Sequence, residues 1–163
     1  MTRSKLNFVF LCLALTVCAY LARNGAFAPP APNFSLPEVY GGRVELDAYH
    51  GRPVLLVFWT TSCPICQREL PMLSRLAPTF RSKGVTLLPI NLDGESQAAD
   101  YLSSNNLNLT SLFDSDSKIA RAYDVGGVPK FVLIDKDGKV RRSSSGWTSE
   151  SVLRNWVDSV SGS

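Results

Sequence analysis

Two cysteines separated by two residues, Cys63 and Cys66, are the side chains of this sequence best suited to chemistry. They follow the apolar run 54–59 and precede apolar residues at helical spacing, which places both in the first turn of a predicted helix. The positive end of the helix dipole lies at this turn and favours thiolate over thiol. A second thiol three residues later lies on the same helix face and can close a disulfide with the first. The pattern therefore indicates thiol–disulfide exchange.

Other uses of paired cysteines fit the sequence poorly. Cys12 and Cys18 fall within the N-terminal apolar run, so Cys63 and Cys66 are the pair available to the folded domain. A structural disulfide usually closes a longer loop, because its stabilising effect grows with loop length. A zinc site needs two further Cys or His ligands, and the sequence offers one histidine, His50, which we expect in a surface turn. We expect no metal and no cofactor.

The composition is that of one globular domain without a nucleic-acid surface. The chain has 163 residues, of which 45% are hydrophobic and 19% charged, enough for a single domain with a proper core. Three of the 17 basic residues lie before residue 29, where there is no acidic residue, and the others match the 14 acidic residues in number. Nucleic-acid binding would need a clustered basic excess. We therefore expect no nucleic-acid partner.

The first residues have the order of parts that an export signal has. A basic start precedes an apolar run over 8–21, and the sequence Ala-Phe-Ala at 26–28 is a small-x-small cleavage pattern. Pro29 directly after this pattern disfavours cleavage, so an uncleaved membrane anchor over 6–22 is the alternative. The apolar run is shorter than the roughly 20 residues of a full span.

These features predict three parts of the chain. Residues 1–28 are expected to be a signal peptide or signal anchor, residues 29–33 a Pro-rich linker, and residues 34–163 one folded domain. Lipid attachment at Cys18 is disfavoured, because the Val17 before it is large for that position.

Apolar periodicity and turn residues predict the elements of the domain. A hairpin is expected about Gly41 and Gly42, and the continuous apolar run 54–59 is typical of a central strand covered on both faces. The patterns predict further elements in chain order: a helix over 63–81 that contains Pro71, a parallel strand over 85–91, helices over 96–105 and 116–123, a hairpin with its turn at 135–139, and a last helix over 148–160.

Two details of these helices can be predicted as well. Asp114 or Ser115 is the expected cap of the helix over 116–123, because short polar side chains satisfy the first free amides of a helix. Five apolar residues of the last helix are expected to face the core: Val152, Leu153, Trp156, Val157 and Val160.

From about residue 32 to 160 the chain resembles the thioredoxin superfamily, and within it the exported TlpA/ResA-like proteins that include the DsbE type. Four motifs carry the resemblance: Pro-Asn-Phe-Ser-Leu at 32–36, Phe-Trp-Thr-Thr at 58–61 before Cys-Pro-Ile-Cys at 63–66, Pro71, and Gly-Val-Pro at 127–129 before the strand 131–134. The resemblance implies an α/β thioredoxin-like fold. Its parts would be a central mixed β-sheet flanked by helices, an N-terminal β-hairpin and a helix-containing insert between about 91 and 123.

The resemblance also implies roles for residues around the pair. Val128 and Pro129 occupy the place of a cis-proline loop that presents a backbone edge to an incoming peptide. Glu69, three residues after Cys66, occupies the place of a carboxylate that could carry protons for that cysteine; the alternative is a solvent-exposed helix glutamate. Trp59, Pro64 and Ile65 are expected to join Val128 and Pro129 in the client-binding surface.

Three positions depart from the usual family pattern. Ser62 stands where a Trp commonly precedes the first cysteine, and Lys130 stands where a Thr commonly follows the cis-proline. The dipeptide Pro64-Ile65 differs from the Gly-Pro of reducing thioredoxins. Lys130 would favour a thiolate at Cys63 if it pointed at the site, and would otherwise be solvated.

The expected function is reduction of disulfides or cysteine pairs in client proteins, with electrons from a membrane thiol–disulfide donor. The resemblance implies that the clients are cysteine pairs in cytochrome c maturation or metal-site assembly. The expected location is the extracytoplasmic face of the inner membrane, which in Gram-negative cells is the periplasmic face. An oxidising disulfide donor is the alternative, since exchange runs in both directions.

Two further functions fit less well. A copper-binding assembly factor typically has three residues between its cysteines and a downstream histidine, which this chain lacks. A peroxiredoxin-like peroxidase would share Thr60 three residues before Cys63, but Leu56 stands where the proline of that motif belongs.

Overall fold

The apolar run 54–59 forms the central strand β3 (Val54–Trp59), and all six of its side chains are buried. It lies parallel to β4 (Thr86–Asn91) on one side and antiparallel to β6 (Lys130–Ile134) on the other. A strand between two others has both backbone edges paired and both faces covered, so it can be apolar throughout. The prediction of a central strand is confirmed.

A computed structural model describes residues 28–162 and, before them, residues 10, 12, 13 and 16. Within these residues, no helix has both the length and the apolar character needed to cross a membrane. The predicted signal or anchor over 1–28 falls almost entirely outside the described residues.

The main sheet is mixed, and β5 (Leu112–Phe113) beside β4 and β7 (Val140–Ser145) beside β6 complete the strand order β5-β4-β3-β6-β7 within the described chain. A separate two-stranded antiparallel sheet precedes it, as the hairpin about Gly41 predicts. The remaining elements, in chain order, are β1 (Ser35–Pro37), β2 (Arg43–Glu45), a 3₁₀ helix (Leu46–Tyr49), α1 (Pro64–Ser82), α2 (Glu95–Ser104), α3 (Lys118–Ala122) and α4 (Glu150–Asp158).

Helices cover both faces of this sheet and form two cores. Alternate residues of β3 point to opposite faces. Leu55, Val57 and Trp59 pack on the side of α1 and α4. Val54, Leu56 and Phe58 pack on the side of α3 and the N-terminal hairpin. The architecture is the thioredoxin-like α/β fold that the family resemblance implied.

The insert between β4 and β6 contains more than the two predicted helices. It includes β5, whose two residues pair in parallel with β4 and carry too little pattern to be recognised. Helix α3 has five residues, shorter than predicted, and its N-cap residue is Ser117. Asp114 is not the N-cap residue, yet its buried carboxylate accepts the amides of Ile119 and Ala120 at 3.3 and 2.7 Å.

Residues 29–33, the predicted Pro-rich linker, are hydrogen-bonded to the folded domain. The amide of Ala31 donates to the Gly138 carbonyl at 2.8 Å, and the amide of Val140 donates to the Pro29 carbonyl at 2.9 Å. The Tyr123 hydroxyl donates to the carbonyl of Pro32 at 2.7 Å. Proline retains its carbonyl as an acceptor, so a Pro-rich segment can still pair at a sheet edge through that group.

The last helix, α4, is shorter than predicted at both ends. Leu153, Val157 and Val160 are buried as expected, and Trp156 is partly buried. Val152 is 39% exposed, so its predicted inward position was wrong. It lies next to Leu153 in the first turn of the helix, beside the apolar stripe rather than on it.

Candidate active site

Cys63 is the N-cap residue of α1, and Pro64 is its first helical residue. Proline suits this position because the first amides of a helix have no partner within the helix. The amide of Cys66 donates to the Sγ of Cys63 at 3.2 Å. The side chain that the sequence placed in the first turn therefore caps the helix through its sulfur, and both cysteines are free thiols.

The two thiols differ in exposure. The side chain of Cys63 is partly exposed, whereas Cys66 retains 1% of its accessible surface. Burial raises the pKa of the Cys66 thiol to about 12, the neighbouring Cys63 sulfur adds to this, and a hydrogen bond from the Thr60 backbone opposes it. A reagent in solution therefore reaches Cys63 first.

The loop before β6 faces the accessible thiol. The Val128–Pro129 peptide bond is cis, as the resemblance implied. The Sγ of Cys63 contacts the carbonyl oxygen of Val128 at 3.6 Å. Val128 is partly exposed and Pro129 is buried. Lys130 follows as the first residue of β6, opposite Phe58 of β3, with its side chain partly buried.

Glu69 is buried with 1% of its surface accessible, so a solvent-exposed helix glutamate is excluded. Its Oε1 accepts the amide of Thr148 at 2.7 Å, whereas Oε2 has no hydrogen-bond partner within residues 28–162. Burial raises the pKa of this carboxyl from 4.5 to about 7, against the lowering effects of the Thr148 amide and of Arg68. Its charge in turn contributes to the raised pKa of Cys66, one helical turn away.

The residues predicted to form a client-binding surface divide into two groups. Pro64 is exposed and Ile65 is partly exposed beside Cys63. Trp59 is completely buried, so the expectation that it contacts a client was wrong. Its ring packs 5.6 Å from that of Tyr101 in α2, and its indole Nε1 donates to Ser111 Oγ at 3.2 Å. Trp59 thus supports the site from beneath.

Sequence reasoning missed the residues that hold the turn before Cys63. Asn91 and Asp93 follow β4, and the carboxylate of Asp93 accepts the amide of Thr61 at 2.6 Å. The signal available was position: parallel strands end at one edge of a sheet, so residues after β4 lie near those after β3. Among the described residues, no group of three or more His, Cys, Asp or Glu side chains has an arrangement that could hold a metal ion.

Comparison with known proteins assigns this fold and site to a family. Residues 28–143 match the AhpC/TSA family. The chain belongs to the AhpC/TSA family. The chain is similar to the thiol-disulfide oxidoreductase ResA of Bacillus subtilis (strain 168), with 32% identity over an alignment of 160 residues and coverage of 91% of this chain and 89% of the relative. ResA of Geobacillus kaustophilus is 31% identical over 83% of this chain and 78% of the relative.

Solved structures of the same type superimpose on this AhpC/TSA member. A thiol:disulfide interchange protein DsbE from Chlorobium tepidum is 29% identical, with a TM-score of 0.76 over 83% of this chain and 97% of the other. A secreted disulfide oxidoreductase of Mycobacterium tuberculosis is also 29% identical, with a TM-score of 0.69 over 77% of this chain and 95% of the other. The chain is a thiol–disulfide oxidoreductase of the TlpA/ResA/DsbE type.

Proposed function

We propose that Cys63 and Cys66 are the catalytic pair and that the protein reduces disulfides of client proteins. The observation that carries the proposal is the difference between the two thiols. Cys63 is accessible and accepts the Cys66 amide at its sulfur, whereas Cys66 is buried one turn behind it. An amide directed at a sulfur stabilises negative charge on it. This arrangement suits an attacking thiol in front and a resolving thiol behind.

In the first step, the Cys63 thiolate attacks one sulfur of a client disulfide. The client S–S bond breaks, one client sulfur leaves as a thiolate, and a mixed disulfide joins the other to Cys63. In the second step, Cys66 loses its proton and attacks the Cys63 sulfur. The Cys63–Cys66 disulfide forms and the second client thiolate leaves, so that two electrons have passed to the client, whose two thiolates take up protons.

Glu69 is the proposed proton acceptor for Cys66 in the second step. The resolving thiol has a pKa of about 12 and needs a base close by. A carboxyl with a pKa of about 7 is divided between its protonated and ionised forms near neutrality, so it can accept a proton and release it again.

The cis-proline loop and the residues between the cysteines are the proposed client-contact surface. The Val128 carbonyl lies beside the Cys63 sulfur, and Pro64 and Ile65 form the exposed side of the same corner. A peptide chain can hydrogen-bond to an exposed backbone edge while its disulfide faces the thiol. Pro129 is buried and would position Val128 rather than contact the client itself.

The proposed setting is outside the cytoplasm, with residues 1–28 as signal peptide or anchor. Disulfides persist in that compartment, so a reductant there needs a thiol–disulfide donor in the membrane to reduce Cys63–Cys66 after each cycle. The structural neighbour from Mycobacterium tuberculosis is a secreted protein, which supports this setting. The proposed clients are cysteine pairs such as haem-attachment or metal-site cysteines.

Single cysteine variants test this division of roles. The probe is an oxidised peptide with the haem-attachment pattern Cys-x-x-Cys-His. The reduced wild-type protein should release both peptide thiols. Cys66→Ser should accumulate a mixed disulfide through Cys63, and Cys63→Ser should trap none. Equal trapping by both variants, or a wild-type protein that leaves the peptide oxidised, would contradict the proposal.

A further inference from the structure

Both backbone polar groups of Thr61, two residues before Cys63, are held by side chains from other elements. Its amide donates to Oδ2 of Asp93 at 2.6 Å. Its carbonyl accepts Nε2 of Gln67, in the second turn of α1, at 2.7 Å. A residue between a strand and a helix is thereby fixed from both sides.

The carboxylate that holds Thr61 is itself fixed. Asn91 is completely buried at the end of β4, and its Nδ2 donates to Oδ2 of Asp93 at 3.3 Å. The Oδ1 of Asn91 accepts the amides of Asp93 at 2.8 Å and Gly94 at 3.0 Å. Gly94 is the N-cap residue of α2, so Asp93 connects the insert to the turn before the cysteines.

The neighbour of Thr61 contacts both members of the pair. The carbonyl of Thr60 accepts the amide of Cys63 at 3.4 Å. The Thr60 backbone also lowers the pKa of the Cys66 thiol. A shift of Thr61 therefore disturbs Thr60, and with it the local geometry of the attacking and the resolving sulfur.

We propose that Asp93 is a positioning residue for the cysteine pair, whose carboxylate holds the turn over 60–63 in the conformation that lets Cys66 attack Cys63. Asp93 acts through Thr61 and need not contact the client. The inference rests on the proposed function, because it assigns Asp93 to the resolving step of that reaction.

The aromatic disulfide dithiobis-nitrobenzoate separates the two steps. Attack by Cys63 releases one thionitrobenzoate and leaves the other bound in a mixed disulfide. Attack by Cys66 then forms the Cys63–Cys66 disulfide and releases the second thionitrobenzoate, which carries off the electron pair of the broken bond. Acid-quenched samples analysed by mass spectrometry give the amount of mixed disulfide at each time.

Asp93→Ala should accumulate the mixed disulfide about fivefold above wild type, the effect of losing one hydrogen bond, while the first release changes by less than about twofold. Asp93→Asn retains a carbonyl acceptor for the Thr61 amide and should behave like wild type. Asp100→Ala removes an exposed acid from the same helix, α2, and should also behave like wild type. Gln67→Ala removes the other hydrogen bond to Thr61 from an exposed position and should accumulate the adduct too.

Three results would overturn the inference: an Asp93→Ala protein that resolves the adduct like wild type, an Asp93→Asn protein as defective as Asp93→Ala, or equal slowing of both releases. If Asp93→Ala does not fold, normal resolution by Gln67→Ala contradicts the inference. A wild-type protein that never releases the second thionitrobenzoate would refute the proposed function itself, which distinguishes the two failures.

Discussion

The helix that begins at Cys63 makes the two thiols unequal. An N-cap residue lies half outside the helix, whereas the third helical residue, Cys66, faces the core between α1 and the sheet. The same face then carries Glu69 one turn later, buried from solvent and hydrogen-bonded to the Thr148 amide. One short stretch of α1 therefore supplies an accessible thiol, a buried thiol and a buried carboxyl in order.

Glu69 should make stability depend on pH. Its folded-state pKa of about 7 lies above the ordinary value of 4.5, so between these values the folded protein binds more protons than the unfolded chain. The free energy of unfolding should fall as pH rises from about 4.5 to about 7, by about 3 kcal/mol for this group, and change little above that. Urea unfolding of wild type and Glu69→Gln across this range measures the difference.

The Glu69→Gln protein should lack the pH-dependent part of the unfolding free energy that comes from Glu69, while the amide of Thr148 keeps an acceptor. Glu95→Gln, an exposed acid at the start of α2, is the matched control and should leave the pH dependence as it is in wild type. Parallel pH curves for wild type and Glu69→Gln would contradict the raised pKa of Glu69 in the folded protein.

At the residue scale, the sequence predicted what local spacing determines. Cys63 and Cys66 lie in a short motif whose position at a helix start follows from the residues themselves, whereas the cis bond at Pro129 was implied by the family resemblance. Asp93 and Thr148 could not be found in this way, since each acts on a residue more than 30 positions away. Trp59 was misjudged because an aromatic residue before such a motif can lie under the site or on its surface.

At the scale of elements, the N-terminal segment is part of the fold. Residues 29–32 pair with the turn between β6 and β7 and accept the hydroxyl of Tyr123. The Pro-rich composition predicted a linker, because composition indicates the backbone conformation of a segment but not its contacts with the rest of the fold. The spacing of apolar residues was sufficient to predict β3, β4 and α1, because each of these elements contains a long apolar pattern.

Truncation measures the contribution of this segment. A protein that begins at residue 33 loses the hydrogen bonds of the Pro29, Ala31 and Pro32 backbone, and its unfolding free energy should fall by about 3 kcal/mol relative to one that begins at residue 29. Denaturant unfolding of the two proteins gives the difference. Tyr123→Phe in the longer protein should lose about 1 kcal/mol, since it deletes one of these bonds. Equal stability of the two truncated proteins would show that the segment contributes nothing.

At the scale of the whole molecule, the site lies where several separate parts of the chain meet. The end of β3, the start of α1, the loop before β6 and the insert all contribute to the surroundings of Cys63 and Cys66. The direction of electron flow is a property of this whole arrangement, because the reduction potential compares the folded dithiol with the folded disulfide. Composition and motifs indicate the chemistry but not this difference in free energy.

The midpoint potential of the Cys63–Cys66 pair decides whether the protein reduces or oxidises its clients. Equilibration of the folded domain with glutathione or a lower-potential dithiol, followed by counting of free thiols, gives the value. We expect a midpoint near that of thioredoxin, about −270 mV or lower, as a dedicated reductant requires. A midpoint near −120 mV, the value of a strong disulfide donor, would contradict the reductase function and support oxidation of clients instead.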